Sequence, residues 1–188
     1  MLELAAKTLF VILSLLDYAG APESVVEDNI CQLSEVALGI ATNAQSEGDL
    51  WDMLSVGYVE SKFGYRGNYL VSGRGACGVF QQIPRYAYPS DFAKPTCDSL
   101  QSPDEAAFRV SVALRELSEL HGEDRFCHYN AGNVCGRRAY VYQDAVLRTR
   151  RRVQRAFARL RSHHLAESAV QRFLRTRDWC DILQRPIY

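Results

Sequence analysis

The sequence predicts a mainly α-helical protein that folds as a single domain. Apolar residues recur at three- and four-residue spacings in several long stretches, which is the period of an amphipathic helix. No stretch shows the apolar–polar alternation that is typical of a half-buried strand. The chain has 188 residues, of which 47% are hydrophobic and 23% charged, and this composition supplies enough apolar material for one core.

The N-terminal segment, residues 1–22, is predicted to be either a buried apolar helix or a signal-like segment. Residues 8–16 form an apolar run, and Ala19-Gly20-Ala21 resembles a small-residue cleavage site. Glu3 and Asp17 are unusual in a signal peptide, and the run is too short to cross a bilayer. The structural helix is the favoured interpretation.

Two amphipathic stretches and a glycine-rich loop follow this segment. One helix is predicted from Glu23 to about Asn43. A second begins after Gly48, where Asp49 can cap it, and continues to Phe63. Four glycines between residues 64 and 76 then predict a loop.

The second half of the chain is predicted to contain three more helices. Ser102-Pro103-Asp104-Glu105 is a helix start in which Ser102 caps the Glu105 amide, and this helix ends near Gly122. A loop from Asn130 to Gly136 precedes a long basic helix. The apolar face of the basic helix is predicted to contain Val146, Val153, Phe157 and Leu160. A last helix from about Ala166 is predicted to carry Val170, Phe173, Leu174, Trp179 and Ile182.

The chain contains six cysteines, at positions 31, 77, 97, 127, 135 and 180. An even number in so short a chain permits three disulfides, which are natural in an exported protein. The sequence leaves the connectivity open, and Cys31 with Cys97 and Cys127 with Cys135 are the two pairs that we predict as candidates. No CxxC motif or zinc-ligand spacing occurs, so no metal and no cofactor are expected.

Glu60 is the candidate catalytic residue. It lies in Val59-Glu60-Ser61-Lys62-Phe63, at the end of an apolar helix and before the glycine-rich loop. An apolar environment disfavours the charged carboxylate, so its pKa rises and it keeps a proton near neutral pH. A general acid that cleaves a glycosidic bond needs this property. Taken alone, a glutamate at a helix end is more often a solvated surface residue.

Two further motifs follow Glu60. Residues 72–81 read SGRGACGVFQ, which has the form SxxGAxGxxQ, and residues 129–132 read YNAG. Together with Glu60-Ser61-x-Phe63, these motifs resemble the lytic transglycosylase family over roughly residues 50–146. The resemblance implies a lysozyme-like domain over residues 23–147, with residues 148–188 as a basic helical extension packed on it.

The resemblance also implies chemistry on peptidoglycan glycan strands. Glu60 would protonate the oxygen between N-acetylmuramic acid and N-acetylglucosamine, and would then take the proton of the muramoyl 6-hydroxyl to give a 1,6-anhydro product. The family has Met or Leu where Phe80 stands and Ala or Ser where His128 stands, and Tyr140 is a near rival of Tyr142 for the family tyrosine. The residues implied to bind the glycan are Ser61, Ser72, Gly75, Gln81, Tyr129, Asn130 and Tyr142.

The distribution of acidic residues bears on the product. A two-carboxylate glycosidase needs a second acid close to the first. No Asp or Glu occurs between Glu60 and Asp91, although Asp91, Asp98 and Asp104 stay open as spatial neighbours. A transglycosylase is therefore favoured over a hydrolytic lysozyme on the same fold. The intact motif favours it over a non-catalytic wall-binding or structural virion protein. The setting is predicted to be the periplasm and cell envelope, or a phage virion.

The basic helix is either a solvated face or a surface for an anionic partner. Seven arginines and no acid lie between Arg148 and Arg161, although the formal net charge of the chain is zero. Such a segment suits an anionic wall polymer or a protein of a virion or secretion machine. Nucleic acid is not an expected partner, because interleaved aromatic residues are lacking.

Overall fold

A computed structural model describes residues 1–66, 70–87, 93–160, 167–169, 171, 173–176, 178 and 180. Within these residues the protein is mainly helical and contains no strand, which confirms the predicted mainly α class. The helices are α1 (Leu2–Tyr18), α2 (Glu23–Asp28), α3 (Ile30–Asn43), α4 (Glu47–Ser61), α5 (Cys97–Gln101), α6 (Pro103–His121), α7 (Arg125–Ala131) and α8 (Arg137–Leu160).

The apolar N-terminal segment forms α1, which lies in the core. Leu9, Ile12 and Leu16 are almost completely buried, and the helix contacts α3 and α8. Burying an aliphatic side chain of this size stabilises a fold by about 1.5–3 kcal/mol relative to leaving it exposed. Among the described residues, no helix has both the length and the apolar character that a membrane crossing requires.

The single helix predicted from Glu23 to Asn43 is divided at Asn29. This residue leaves the helical conformation (φ −112°, ψ 14°), and its side-chain amide donates to the carbonyl of Val25 at 2.9 Å. A short polar side chain that bonds the local backbone competes with helix continuation. α3 then crosses α6 closely: a Cβ at Gly39 would lie 2.9 Å from the carbonyl oxygen of Pro103.

Two predicted helix caps differ from the structure. Ser46, not Asp49, caps α4, because the Ser46 hydroxyl accepts from the Asp49 amide at 3.1 Å. α6 begins at Pro103 as predicted, but Ser102 makes no side-chain cap bond. Glu105 instead pairs with Arg109 one turn further on, at 2.5 Å.

The long basic helix is confirmed as α8, with Val146, Val153, Phe157 and Leu160 buried. The predicted domain boundary between residues 147 and 148 falls inside this helix, so the basic segment continues the helix that carries Tyr142. Described residues between 167 and 180 are helical, with Phe173 buried and Leu174 exposed. Val170, Trp179 and Ile182 lie outside the described residues.

A buried ion-pair network joins α4, α7 and α8. Asp52 of α4 accepts from Arg125 of α7 at 3.0 Å and from Arg150 of α8 at 2.5 Å. Only 7% of Asp52 is exposed, so the two guanidinium groups compensate a carboxylate that would otherwise be costly to bury. The network fixes the relative positions of the three helices that supply Glu60, Tyr129 and Tyr142.

Three disulfides join the six cysteines: Cys31–Cys180, Cys77–Cys97 and Cys127–Cys135. The predicted Cys127–Cys135 pair is confirmed. The predicted Cys31–Cys97 pair is wrong, because α5 lies against the glycine loop (residues 70–82) and brings Cys97 to Cys77, with a Cα–Cα distance of 5.5 Å. The longest connection, Cys31–Cys180, spans 149 residues and ties the C-terminal residues to α3.

Candidate active site

Helix α4 places Glu60 at its C-terminal end. Leu50, Met53 and Leu54 anchor the helix in the core. Near the end of the helix, a Cβ at Gly57 would lie 3.1 Å from the rings of both Phe63 and Phe80, so glycine lets these rings lie against the helix. Glu60 follows this closely packed glycine by three residues, on the last turn of α4.

The helix ends at Ser61, the residue after Glu60, and the chain then turns toward the glycine loop. Lys62 and Phe63 both adopt left-handed backbone conformations, with φ of 54° and 60°. The Lys62 ammonium lies 3.8 Å from the centre of the Tyr58 ring and donates to the Tyr58 carbonyl at 3.1 Å. Burial, with a further contribution from the charge of Arg152, lowers the pKa of Lys62. These contacts compensate a strained chain reversal beside the candidate acid.

Glu60 is partly buried and accepts one strong hydrogen bond. The Tyr142 hydroxyl donates to Oε1 of Glu60 at 2.7 Å. Burial raises the pKa of Glu60 from an ordinary value of 4.5 to about 7, and the hydrogen bond from Tyr142 opposes this rise. The carboxyl group is thus close to half protonated at neutral pH, as expected of a group that both donates and accepts a proton.

Tyr142 contacts the carboxyl group directly, and Tyr129 lies close enough to interact with its charge. Burial and the neighbouring charge of Glu60 raise the pKa of both phenols well above the ordinary value, so both stay protonated as hydrogen-bond donors. The Tyr129 hydroxyl donates to the Phe80 carbonyl at 2.9 Å, which ties α7 to the glycine loop. Tyr140, the rival candidate for Tyr142, is 43% exposed and makes no described contact with Glu60.

The glycine loop is folded by its own backbone and by Ser72. The Ser72 hydroxyl accepts from the amides of Arg74 and Ala76, at 3.3 and 3.0 Å. Ser61 joins the loop to α4, because its hydroxyl donates to the Val79 carbonyl at 2.7 Å. Ser61 and Ser72 thus organise the loop by bonds within the protein, and Gly75 (φ 74°) stands at its open tip.

Helix α5 is joined to the glycine loop by a disulfide and by two hydrogen bonds. Cys97 holds Cys77 by a disulfide, and the Gln101 amide bonds the backbone of Leu70 twice, accepting at 3.0 Å and donating at 3.1 Å. Gly78 has a φ of 73°, and a Cβ there would lie 1.9 Å from the Leu100 carbonyl oxygen. This position therefore requires glycine for both its conformation and its close approach to α5.

The two glutamines of the loop have different environments. The Gln81 amide donates to the Gly78 carbonyl at 3.0 Å and lies partly exposed. Gln82 is buried and hydrogen-bonds the Tyr129 hydroxyl, and its Oε1 has no partner among the described residues. The motif predicted Gln81 as a binding residue. No signal in the sequence indicated Gln82, because its placement against Tyr129 depends on the fold.

Asn130 lies at the exposed end of α7, away from the described hydrogen bonds of Glu60. The adjacent His128 stacks on His121, with ring centroids 3.6 Å apart, and its Nδ1 lies 2.7 Å from the Gly132 carbonyl oxygen. Buried Gln143 accepts from the Cys127 amide at 3.0 Å and anchors α7 to α8. Gln143 follows Tyr142 in α8, so this bond holds the YNAG segment beside the tyrosine that donates to Glu60.

The described residues contain no group of three His, Cys, Asp or Glu side chains that could hold a metal ion. A cavity of about 430 Å³ lies at the N-terminal end of α4, between α1 and α8, and is lined mainly by apolar residues such as Leu4, Leu50 and Phe157. It is at the opposite end of α4 from Glu60 and shares no residue with the candidate site.

The structure brings together Glu60, Tyr142, Tyr129 and the glycine loop that carries Gln81. A comparison of the chain with known protein families, with curated proteins and with solved structures finds no match. The geometry of this site and the motif resemblance are therefore the features that indicate a function.

Proposed function

We propose that this protein is a peptidoglycan lytic transglycosylase on a lysozyme-like fold, with Glu60 as its catalytic acid and base. The observation that carries the proposal is the partly buried Glu60 carboxyl, whose pKa of about 7 lets one group donate and then accept a proton. The order of Glu60-Ser61-x-Phe63, the glycine motif and YNAG supports peptidoglycan as the substrate.

In the first step, protonated Glu60 gives its proton to the oxygen that joins N-acetylmuramic acid to N-acetylglucosamine. The bond from that oxygen to C1 of the muramoyl residue breaks, and its electron pair stays on the leaving oxygen. Glu60 is then a carboxylate, and the Tyr142 hydroxyl stabilises this charge through its 2.7 Å hydrogen bond. By the family resemblance, the substrate N-acetyl oxygen stabilises C1 in the meantime.

In the second step, the Glu60 carboxylate takes the proton of the muramoyl 6-hydroxyl. The 6-oxygen attacks C1 and closes a 1,6-anhydro ring, which restores protonated Glu60. Only one carboxyl group is needed for this cycle. No other described carboxylate contributes to the pKa shift of Glu60, whose causes are burial and Tyr142, and this favours a single-acid mechanism over a two-acid hydrolase.

The glycine loop and YNAG are the proposed binding elements. Side-chain amides such as those of Gln81 and Asn130 offer both a donor and an acceptor to the acetamido groups of the glycan. The open tip at Gly75 lets a sugar chain approach the backbone. In this proposal, Ser61 and Ser72 act by holding the loop in shape.

The test is digestion of purified peptidoglycan, followed by mass analysis of the released fragments. Wild-type protein is expected to release muropeptides with 1,6-anhydro ends, which weigh one water less than hydrolytic products. Glu60→Gln is expected to lose activity by about 10²–10⁴-fold, the usual contribution of a general acid. Glu119→Gln, which removes an exposed glutamate of α6, is the matched control and is expected to keep full activity.

Two results would change the proposal. Fragments with intact reducing ends would identify a hydrolytic lysozyme instead. Wild-type protein that binds peptidoglycan without releasing fragments would identify a non-catalytic wall-binding protein.

A further inference from the structure

From its middle onward, one side of α8 presents exposed arginines, among them Arg148, Arg151 and Arg155. Arg148, Arg151 and Arg155 follow one another at spacings of three and four residues, and all three are exposed. This spacing places side chains above one another along a helix, over about 10 Å. We refer to these three residues as the arginine face. Residues 148–160 contain no acidic side chain, and exposed Asp144 lies on the same side of the helix, one turn before Arg148.

The arginine face differs from the structural arginines of the same helix. Arg150 pairs with buried Asp52, and Arg152 donates to the Tyr18 hydroxyl at 2.9 Å while lying over its ring. None of the ion pairs found among the described residues involves the arginine face. Its positive charge is therefore directed to solvent, although the chain as a whole has no net charge.

The arginine face and Glu60 lie on opposite sides of α8. Tyr142 points from this helix to Glu60. At 3.6 residues per turn, Arg148, Arg151 and Arg155 lie about 180–240° around the helix axis from Tyr142. A glycan bound at Glu60 would therefore not reach them, so an anionic group of the substrate is not the partner that this surface fits.

The surroundings of the arginine face favour a lipid surface. Tyr140 and Val141, on the same side of α8 nearer its beginning, are 43% and 60% exposed. Arginines beside exposed aromatic and aliphatic side chains match the headgroup region of a bilayer with anionic lipids. Since the apolar face of α8 is buried in the core, the contact is peripheral and the helix does not insert.

We propose that the arginine face, with Tyr140 and Val141, docks the protein on an anionic phospholipid bilayer, so that the Glu60 site faces away from the lipid. The lipid contact itself does not depend on the proposed function. Only the advantage of orienting the Glu60 site away from the lipid rests on that function. A protein held in this way would present Glu60 to a polymer layer that lies opposite the membrane.

The test is co-sedimentation of the full chain with phosphatidylcholine vesicles that contain or lack phosphatidylglycerol, at low and at high salt. We expect binding only to the anionic vesicles, and loss of binding at high salt. The triple variant Arg148→Gln/Arg151→Gln/Arg155→Gln is expected to bind about 100-fold more weakly, since each surface cation contributes roughly a fivefold factor. Equal binding to both kinds of vesicle would overturn the proposal.

The matched control is Arg66→Gln/Arg85→Gln/Lys94→Gln, which removes the same charge from exposed positions outside α8. It is expected to bind anionic vesicles like the wild type, and an equal loss in both triple variants would overturn the proposal. Tighter binding of the arginine face to double-stranded DNA or to isolated wall polymer than to vesicles would also overturn it. Vesicle binding by a protein that releases no muropeptide would refute the proposed function alone.

Discussion

The hydroxyl of Tyr142 donates a 2.7 Å hydrogen bond to Oε1 of Glu60, a residue 82 positions earlier in the chain. This bond joins the first half of α8 to the end of α4. It is also the interaction that opposes the effect of burial on the pKa of Glu60. The contact therefore gives Tyr142 a defined electrostatic role that mutation can test.

Replacing Tyr142 with Phe is expected to raise the pKa of Glu60 above about 7, because the hydrogen bond that favours the carboxylate is lost. A general acid works in its protonated form, so the alkaline limb of the pH–rate profile should move to higher pH. The measurement is muropeptide release as a function of pH. Tyr140→Phe, on the exposed rival, should leave the limb in place, and an unchanged limb in Tyr142→Phe would contradict the assigned role.

The stability of the fold should depend on pH through Glu60. Because the folded pKa of about 7 lies above the ordinary value of 4.5, the folded state holds the proton more tightly. The stability that protonated Glu60 contributes is therefore complete below pH 4.5 and is lost as the pH rises through 7.

Glu60→Gln removes this pH dependence. The variant should be more stable than the wild type at pH 8, by up to about 3 kcal/mol, and should lose this advantage in acid. Urea unfolding at several pH values measures the difference. A constant difference between the two proteins from pH 4.5 to 8 would show that Glu60 has an ordinary pKa.

Gly78→Ala and Gly75→Ala are a matched pair of substitutions in the glycine loop. Both glycines have positive φ, at 73° and 74°, but only Gly78 has a close neighbour, the Leu100 carbonyl oxygen at 1.9 Å from an added Cβ. Gly78→Ala should cost about 3 kcal/mol or more in the free energy of unfolding, and Gly75→Ala only about 1–2 kcal/mol, the conformational part. Equal losses in urea unfolding would show that the loop does not lie against α5.

Removing the Cys77–Cys97 disulfide should lower activity more than removing Cys31–Cys180, although it should cost less stability. Chain entropy gives about 3 kcal/mol for a loop of its size and about 5 kcal/mol for Cys31–Cys180. Cys77→Ala/Cys97→Ala should lower kcat/KM roughly tenfold or more, because a loosened glycine loop misplaces the glycan. Cys31→Ala/Cys180→Ala should be the less stable protein, yet should keep its kcat/KM below its unfolding temperature. The reverse order of activities would exclude a positioning role for the first disulfide.

The sequence predicted the helices well where apolar periodicity was decisive. The buried face of α8 follows directly from the spacing of Val146, Val153, Phe157 and Leu160. The break at Asn29 was not predictable in this way, because the apolar period continues across it from α2 into α3. The α4 cap was misplaced by three residues, since Ser46 and Asp49 are both good capping types and only the fold selects between them.

The candidate site was predictable only in part. Glu60 and Tyr142 were expected from the motif resemblance, whereas the hydrogen bond between them required the packing of α8 on α4. Six cysteines allow fifteen pairings, so proximity in the fold decides them. The lysozyme-like arrangement and the reaction stay predictions.

A carbon-13 NMR titration of the Glu60 carboxyl in the free wild-type protein, assigned by comparison with Glu60→Gln, reports whether this group holds a proton near neutral pH. We predict a midpoint near pH 7, because the side chain is partly buried and has one hydrogen-bond donor. A midpoint near the ordinary value of 4.5 would mean that Glu60 is a solvated carboxylate, and this would contradict its role as the catalytic acid.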